Sequence, residues 1–132
     1  MALRVVRLGT ARGRREGLRI GTVRRPPRGV PKTEFASRGF YDVWLPELSP
    51  SERLVRQARQ ARDEREWRAF VRKYRSEMKA PEASHLLDLL AALSHHADLS
   101  VGCYCLDARH CHRSVLRDLL EARGARMAPG RP

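Results

Sequence analysis

The strongest constraint on the fold is a short, nearly uncharged run at residues 98–105, with the sequence DLSVGCYC. An apolar run of this length that follows a helical pattern is typical of a strand buried in a parallel sheet. The pattern after it, at residues 113–123, has apolar residues at helical spacing and ends at Gly124. A buried strand that leads into a helix predicts an α/β domain.

The rest of the chain supplies further strands and helices for such a domain. Alternating or short apolar patterns predict strands at residues 3–8, 18–23 and 41–45, and apolar stripes predict helices over 49–61, 67–78 and 81–93. The expected architecture is therefore a small three-layer α/β domain, with a short, mostly parallel sheet flanked by helices.

The length of 132 residues suits a single domain with one core. We place that domain at residues 1–124, in which residues 1–17 form a basic N-terminal strand and loop. Residues 125–132 are rich in proline and glycine and are expected to be a flexible tail.

Two helical patterns carry local signals. The run Ser49-Pro50-Ser51-Glu52 resembles a capping box, in which we expect Ser49 to cap the helix. In the next helix, Trp67, Phe70 and Tyr74 share one stripe, and an aromatic stripe at this spacing predicts core packing.

Positive charge is concentrated in the N-terminal third. The chain has a formal net charge of +12, of which residues 1–38 carry +9, from ten Arg and one Lys against two Glu. This distribution favours an anionic partner, such as a nucleic acid, a nucleotide or phosphate, ahead of a membrane. The proline-stiffened loop at 24–31 presents Arg24, Arg25 and Arg28 as ligand-binding candidates. The same pattern is equally typical of an ordinary surface loop in an arginine-rich chain.

Several classes of protein are disfavoured. No apolar run approaches the roughly 20 residues that cross a bilayer. Arginines interrupt every apolar stretch near the N-terminus, so we expect no signal peptide and a cytoplasmic protein. Three cysteines within nine residues are not a disulfide framework.

The candidate site is the loop that leaves the buried strand and enters the last helix. Ligands of open α/β sheets bind beyond the carboxyl ends of the strands, and a helix N-terminus attracts anions. Arg113 opposes the dipole of that helix unless an anion lies between them. Cys111 has cationic neighbours that lower a thiol pKa, so Cys111 and His112 are the catalytic candidates and Arg113 a ligand-binding one.

Two other chemistries compete for this loop. A metal site would draw on Cys103, Cys105, Cys111, His110 or His112, but the spacing lacks the paired C-x₂-C of common zinc sites. We therefore predict neither a metal nor another cofactor.

The second competing chemistry is a phosphatase-like loop. Cys103 and Arg109 match C-x₅-R, yet Tyr104, Leu106 and Asp107 fill an interval that needs small residues. An anion site without metal is the favoured interpretation, with Cys103 and Cys105 as small buried strand residues.

Several motifs together resemble the YeaO-like family of domains of unknown function. They are YDVWLPELSPS at 41–51, the spaced aromatics Trp67, Phe70 and Tyr74, the run PRGV at 27–30 followed by Lys32, and Cys111-His112-Arg113 before the last helix. The resemblance covers roughly residues 18–124 and implies a small α/β domain with no assigned activity. Family members with the Cys-His-Arg motif often have an acidic residue where this chain has Cys105.

The sequence thus predicts a phosphate- or nucleotide-binding domain, with or without catalytic activity, whose site is the Cys-His-Arg loop. The alternative is a non-catalytic nucleic-acid-binding module that uses the basic N-terminal third. An aromatic content of only 6% disfavours a single-strand binder that stacks bases.

Overall fold

A computed structural model of the chain describes residues 1–105 and 111–129. The strands of this part are β1 (Leu3–Arg7), β2 (Leu18–Gly21), β3 (Val43–Trp44) and β4 (Leu99–Cys103). Its α-helices are α1 (Glu52–Gln60), α2 (Glu64–Glu77), α3 (Pro81–Leu93) and α4 (His112–Ala122), and short 3₁₀ helices span Lys32–Glu34 and Pro46–Leu48. None of the helices in these two ranges has the length and apolar character needed to cross a bilayer.

The four strands form one parallel sheet in the order β1-β4-β2-β3. Strand β4 lies between β1 and β2, and all five of its residues are buried. These observations confirm the α/β class, the parallel sheet and the buried central strand that the run at 98–105 predicts.

The main core lies between one face of the sheet and the helices. Val101 of β4 is in register with Val5 of β1 and Ile20 of β2, so their side chains share that face. Residues of all four helices complete the cluster, including Phe70 and Tyr74 of the predicted aromatic stripe. The expectation that this stripe packs in the core is confirmed.

Loops, not helices, cover the opposite face in the described residues. A Cβ atom on Gly21 would lie 2.4 Å from the Tyr41 ring, and one on Gly102 would lie 3.0 Å from the side chain of Leu8. Tyr41 and Leu8 belong to the segments before β3 and after β1, and both are buried. The third layer predicted from the sequence is therefore made of loop segments, because the connection from β1 to β2 is short and rich in glycine.

The first helix begins two residues later than the capping pattern indicates. Ser51 is its N-cap and accepts a hydrogen bond from the Leu54 amide at 3.3 Å. Ser49 instead has extended backbone and donates its hydroxyl to the Pro50 carbonyl. The prediction that Ser49 caps this helix is wrong, because the 3₁₀ helix at Pro46–Leu48 ends at Ser49.

The segment after α4 lies against β1. The Leu3 amide donates to the Arg126 carbonyl, the Ala128 amide donates to the Leu3 carbonyl, both at 2.8 Å, and Ala128 is buried. These contacts differ from the expectation of a flexible tail beginning at residue 125, since the edge of β1 offers unpaired backbone groups. The last three residues of that predicted tail lie outside the described residues.

Candidate functional site

The candidate site is where the carboxyl ends of β2 and β4 meet the first turn of α4. The Thr22 amide, just beyond β2, donates to the Gly102 carbonyl of β4 at 2.9 Å. Cys103 ends β4, and Cys111 and His112 open α4 beside it. The parallel sheet therefore positions this cluster at the edge where α/β proteins bind ligands.

Two of the three thiols are in contact inside the protein. The Sγ atoms of Cys103 and Cys111 lie 2.6 Å apart, farther than the roughly 2.05 Å of a disulfide bond. Both cysteines are free and buried, whereas Cys105 is free and exposed. The expected burial of Cys103 is confirmed, and the expected burial of Cys105 is wrong.

One ring nitrogen of the His112 imidazole is held by a hydrogen bond to the backbone. Its Nε2 donates a hydrogen bond to the Thr22 carbonyl at 2.8 Å, and its ring meets the Tyr74 ring edge to face, with centroids 5.7 Å apart. The Nδ1 atom faces the Cys111 Sγ at 3.8 Å. Burial lowers the pKa of His112 to about 4, so the ring is neutral at pH 7.

The pKa values of the three neighbouring thiols are shifted in different directions. Hydrogen bonds from Cys103 and Cys111 lower the pKa of Cys105, and hydrogen bonds to Cys105 and Cys111, with burial, raise the pKa of Cys103. For Cys111 the contact with Cys103 lowers the pKa, but hydrogen bonding to Cys105 and burial raise it to about 11. The sequence predicts a lowered pKa for Cys111, whereas in the structure the lowered pKa belongs to the exposed Cys105.

Arg113 is a buried cation with part of its guanidinium unused. Its side chain is enclosed, with only 2% of the residue exposed, and one terminal nitrogen donates to the Cys105 carbonyl at 2.7 Å. Its Nε has no hydrogen-bond partner, and no carboxylate pairs with it, among the described residues. The first turn of α4 also has no acidic residue, and the Cys111 side chain does not cap it. Positive charge therefore accumulates at this helix start.

The three loop arginines predicted as helpers differ in their contacts. Arg24 donates from Nε and a terminal nitrogen to the two carbonyls of residues 49–50, at 3.1 and 3.0 Å. Arg25 pairs with Glu52 at the start of α1. Arg28 is exposed and has no hydrogen-bond or ion-pair partner within the two described ranges. Arg24 thus anchors the loop to the residues just before α1, and Arg25 anchors it to the first residue of α1.

Part of the predicted loop lies outside the described residues. This applies to Arg109 of the C-x₅-R match and to His110 of the metal alternative. Cys103, the other half of that match, lies in the thiol cluster. Thr22 is a site residue that the sequence analysis missed, and its position at the end of a predicted parallel strand was the available signal.

A shallow depression of about 280 Å³ lies among the loops after β1 and before β3. Arg12 and Arg38 are its cations. Arg12 is paired with Asp42 at 2.8 Å, and Arg38 lies 3.9 Å from Glu34. Both charges are compensated within the protein, so this depression is a weaker anion site than the start of α4.

The fold and the site together define a small parallel α/β domain with thiols, an imidazole and a guanidinium at the carboxyl end of its central strand. The chain belongs to the DUF488 family, because a family model described as "DUF488-N3a: Active DUF488-N3 subclade" matches residues 3–124. This match confirms the resemblance to the YeaO-like family, which is the DUF488 family. No curated protein and no solved structure matches the chain significantly.

Proposed function

We propose that this protein binds a phosphate-bearing small molecule, such as a nucleotide, at the first turn of α4 and acts on it there. The observation that carries the proposal is Arg113, a buried cation whose Nε has no partner among the described residues. Among the described residues, the hydrogen-bond acceptor of its guanidinium is a neutral carbonyl, that of Cys105, and not a carboxylate.

The electrostatics of the helix start support an anionic ligand. Burying an unpaired ion costs several kcal/mol, and a cation at a helix N-terminus adds repulsion from the helix dipole. A phosphate group at this position would accept hydrogen bonds from the Arg113 guanidinium and would lie at the positive end of the α4 dipole. One ligand would thus compensate both the charge of Arg113 and the positive end of the α4 dipole.

The groups that would act on the ligand are Cys111 and His112. Because Nε2 of His112 donates to Thr22, Nδ1 is the nitrogen that can accept a proton, and it faces the Cys111 sulfur. A thiol beside an imidazole is a common nucleophile and base. Since hydrogen bonding to Cys105 and burial raise the pKa of Cys111, and burial lowers that of His112, the thiol would be protonated in the free protein and would pass its proton to Nδ1 only as it attacks the bound ligand. The description of the matching family model as an active subclade agrees with a reacting site.

Thermal unfolding with inorganic phosphate or a nucleoside monophosphate tests the proposal. A ligand at 100 times its Kd stabilises the native state by about 2.7 kcal/mol, so we expect a higher Tm for the wild type. Arg113→Gln should abolish the increase, and Arg113→Lys, which keeps the charge, should retain part of it. Arg53→Gln, an exposed arginine of α1, is the matched control. An equal increase in the Arg113→Gln variant would reject the anion site.

A second candidate function is binding of a nucleic acid by the basic N-terminal third. Arg14, Arg15, Arg28 and Lys32 are exposed and have no ion-pair partner in the part of the chain that the structure describes. Counterion release predicts that such binding weakens steeply with salt. Binding to DNA or RNA that is undetectable, or insensitive to salt, would eliminate this alternative.

We also propose that the protein works in the cytoplasm. Its three cysteines are free, and free thiols suit a reducing compartment. Fractionation of cells with an antibody to the protein tests this location, which recovery in an oxidising compartment would contradict.

A further inference from the structure

We propose that Cys103, Cys111 and His112 bind one zinc ion. One ligand atom of each residue lies within 4.8 Å of the other two. The ligands come from the end of β4 and from the start of α4, so the ion would join the central strand to the last helix. Two thiolates and one imidazole are ligand types that zinc prefers.

The hydrogen bond of His112 prepares the ring for a metal. A histidine that ligates a metal nearly always donates its other ring N–H to a carbonyl or a carboxylate, which fixes the tautomer. Here Nε2 donates to the Thr22 carbonyl at 2.8 Å, and the Thr22 hydroxyl donates to the Gly102 carbonyl at 2.9 Å. The Nδ1 lone pair is left facing the Cys111 sulfur.

Adjacent residues seldom reach one ion, but the backbone here allows it. Cys111 is the N-cap of α4 and has extended backbone, with φ −137° and ψ 151°, whereas His112 is the first helical residue. This change of conformation between neighbours brings Sγ and Nδ1 to 3.8 Å. With Zn–S of about 2.3 Å and Zn–N of about 2.0–2.1 Å, two ligands of a tetrahedral ion are about 3.6 Å apart.

The two sulfurs need a small adjustment. Tetrahedral zinc holds two thiolates about 3.7 Å apart, given Zn–S bonds of about 2.3 Å. The Sγ atoms of Cys103 and Cys111 are 2.6 Å apart, so an ion between them would separate them by about 1 Å. Zinc binding requires the Cys111 side chain, which is buried in one cluster with Cys103, to rotate by this amount at the helix cap.

Three protein ligands would leave a four-coordinate ion one open position. Two thiolates would neutralise the dication, and the Arg113 guanidinium is held by the Cys105 carbonyl, two residues after Cys103. Three protein ligands and one open position are the arrangement of a catalytic zinc site. This inference goes beyond the proposed anion site at Arg113, which supplies none of the three ligands. With the ion bound, Cys111 and His112 would be metal ligands instead of nucleophile and base, because zinc would occupy the same Sγ and Nδ1 atoms.

The test measures metal bound to the purified, reduced full chain after loading with Zn²⁺ or Co²⁺ and removal of the free ion. We expect one equivalent of Zn²⁺ per chain. The Co²⁺ form should show thiolate-to-cobalt charge transfer and the intense d–d bands of a tetrahedral ion. Because thiolate ligands must lose their protons, loading should release protons.

The variants separate a ligand from a structural residue. His112→Gln keeps a donor for the Thr22 carbonyl but lacks the Nδ1 lone pair, so it should fold and lose the ion. Cys111→Ser and Cys103→Ala should also lose it. His85→Gln, an exposed histidine of α3, is the matched control and should bind one equivalent. Arg113→Gln should keep the ion even where it abolishes anion binding.

Three outcomes would overturn the proposal. They are no stoichiometric metal in the wild type, full binding by a folded His112→Gln variant, and a Cys103–Cys111 disulfide that persists under reducing conditions. Folding of each variant is checked by circular dichroism. Arg113→Gln tests the phosphate site and His112→Gln tests the zinc site. Either proposal can therefore be rejected while the other stands.

Discussion

Arg19 is the residue that ties the loop layer to the sheet. It is fully buried, and its guanidinium donates to the Thr10 carbonyl at 2.8 Å, to the Gly39 carbonyl at 2.6 Å and to Glu16 Oε1 at 2.5 Å. These partners lie in the loops after β1 and before β3. One side chain therefore satisfies carbonyl groups that the loops cannot pair among themselves.

We expect Arg19→Met to destabilise the protein by about 3–5 kcal/mol, because it leaves Glu16 buried without its partner. The double variant Arg19→Met, Glu16→Gln should lose less stability than the single variant, because no unpaired buried charge remains. The measurement is the free energy of unfolding in urea. Equal losses in the single and double variants would show that the ion pair does not carry the effect.

The Arg12–Asp42 pair predicts a pH-dependent contribution to stability. The hydrogen bond from Arg12 holds the pKa of Asp42 below its usual value. A carboxylate with a lowered folded-state pKa stabilises the protein above its unfolded pKa of about 3.9, and that stability is lost as the pH falls through the folded value.

The loss of stability in Arg12→Gln should therefore be largest near neutral pH, at about 1 kcal/mol for a partly exposed pair. It should shrink below about pH 4. Urea unfolding at several pH values measures it, with Arg53→Gln as an exposed control. A loss that is constant from neutral to strongly acidic pH would contradict this assignment.

At the residue scale, the order of residues along the chain predicts where the site lies but does not predict the contacts within it. Cys111, His112 and Arg113 lie at a helix start that the pattern locates. Thr22 lies ninety positions from His112, so its contact depends on which strand neighbours β4. The exposure of Cys105 likewise depends on where β4 ends, which composition does not determine.

At the element scale, β4 shows what periodicity predicts and what it omits. Its lack of charge predicts a central strand, and all five of its residues are buried. The order of the sheet is not local information, because β4 lies between two strands that precede it by some eighty residues or more. The loop layer was missed because it has no periodic pattern.

Gly102 allows β1 and β4 to approach closely. A Cβ at this position would lie 2.5 Å from the Val6 carbonyl oxygen. We expect Gly102→Ala to cost roughly 1–3 kcal/mol, the usual cost of overpacking. Ser100→Ala, on the same face of the same strand, adds no new Cβ and should cost at most about 1.5 kcal/mol. Urea unfolding compares them, and wild-type stability of Gly102→Ala would refute the close approach.

At the scale of the whole molecule, the basic N-terminal third is partly an internal network. In the sequence each of these arginines counts equally as one positive charge, yet in the structure they have different roles. Arg12 and Arg19 pair with carboxylates, and Arg24 bonds two carbonyls before α1. A count of charges cannot separate such residues from an exposed one such as Arg28. The net charge therefore overstates the surface available to an anionic partner.

The segment after α4 closes the domain and supports a last prediction. Residues 125–129 cover the outer edge of β1, where Arg126 and Ala128 exchange backbone hydrogen bonds with Leu3. The Arg126 amide also donates to the Ser94 hydroxyl at 2.8 Å, just after α3. The segment thus joins the first strand to the third and fourth helices.

A chain that ends at Gly124 should therefore have a free energy of unfolding lower by roughly 2–4 kcal/mol. It would lose backbone hydrogen bonds worth about 0.5–1.5 kcal/mol each and the burial of Ala128. It should also self-associate more, because the uncovered edge of β1 can pair with another strand. A chain that ends at Pro129 is the control and should match the full chain. Urea unfolding and sedimentation measure both effects. If the shorter chain is as stable and as monodisperse as the control, residues 125–129 behave as the dispensable tail that their composition suggests.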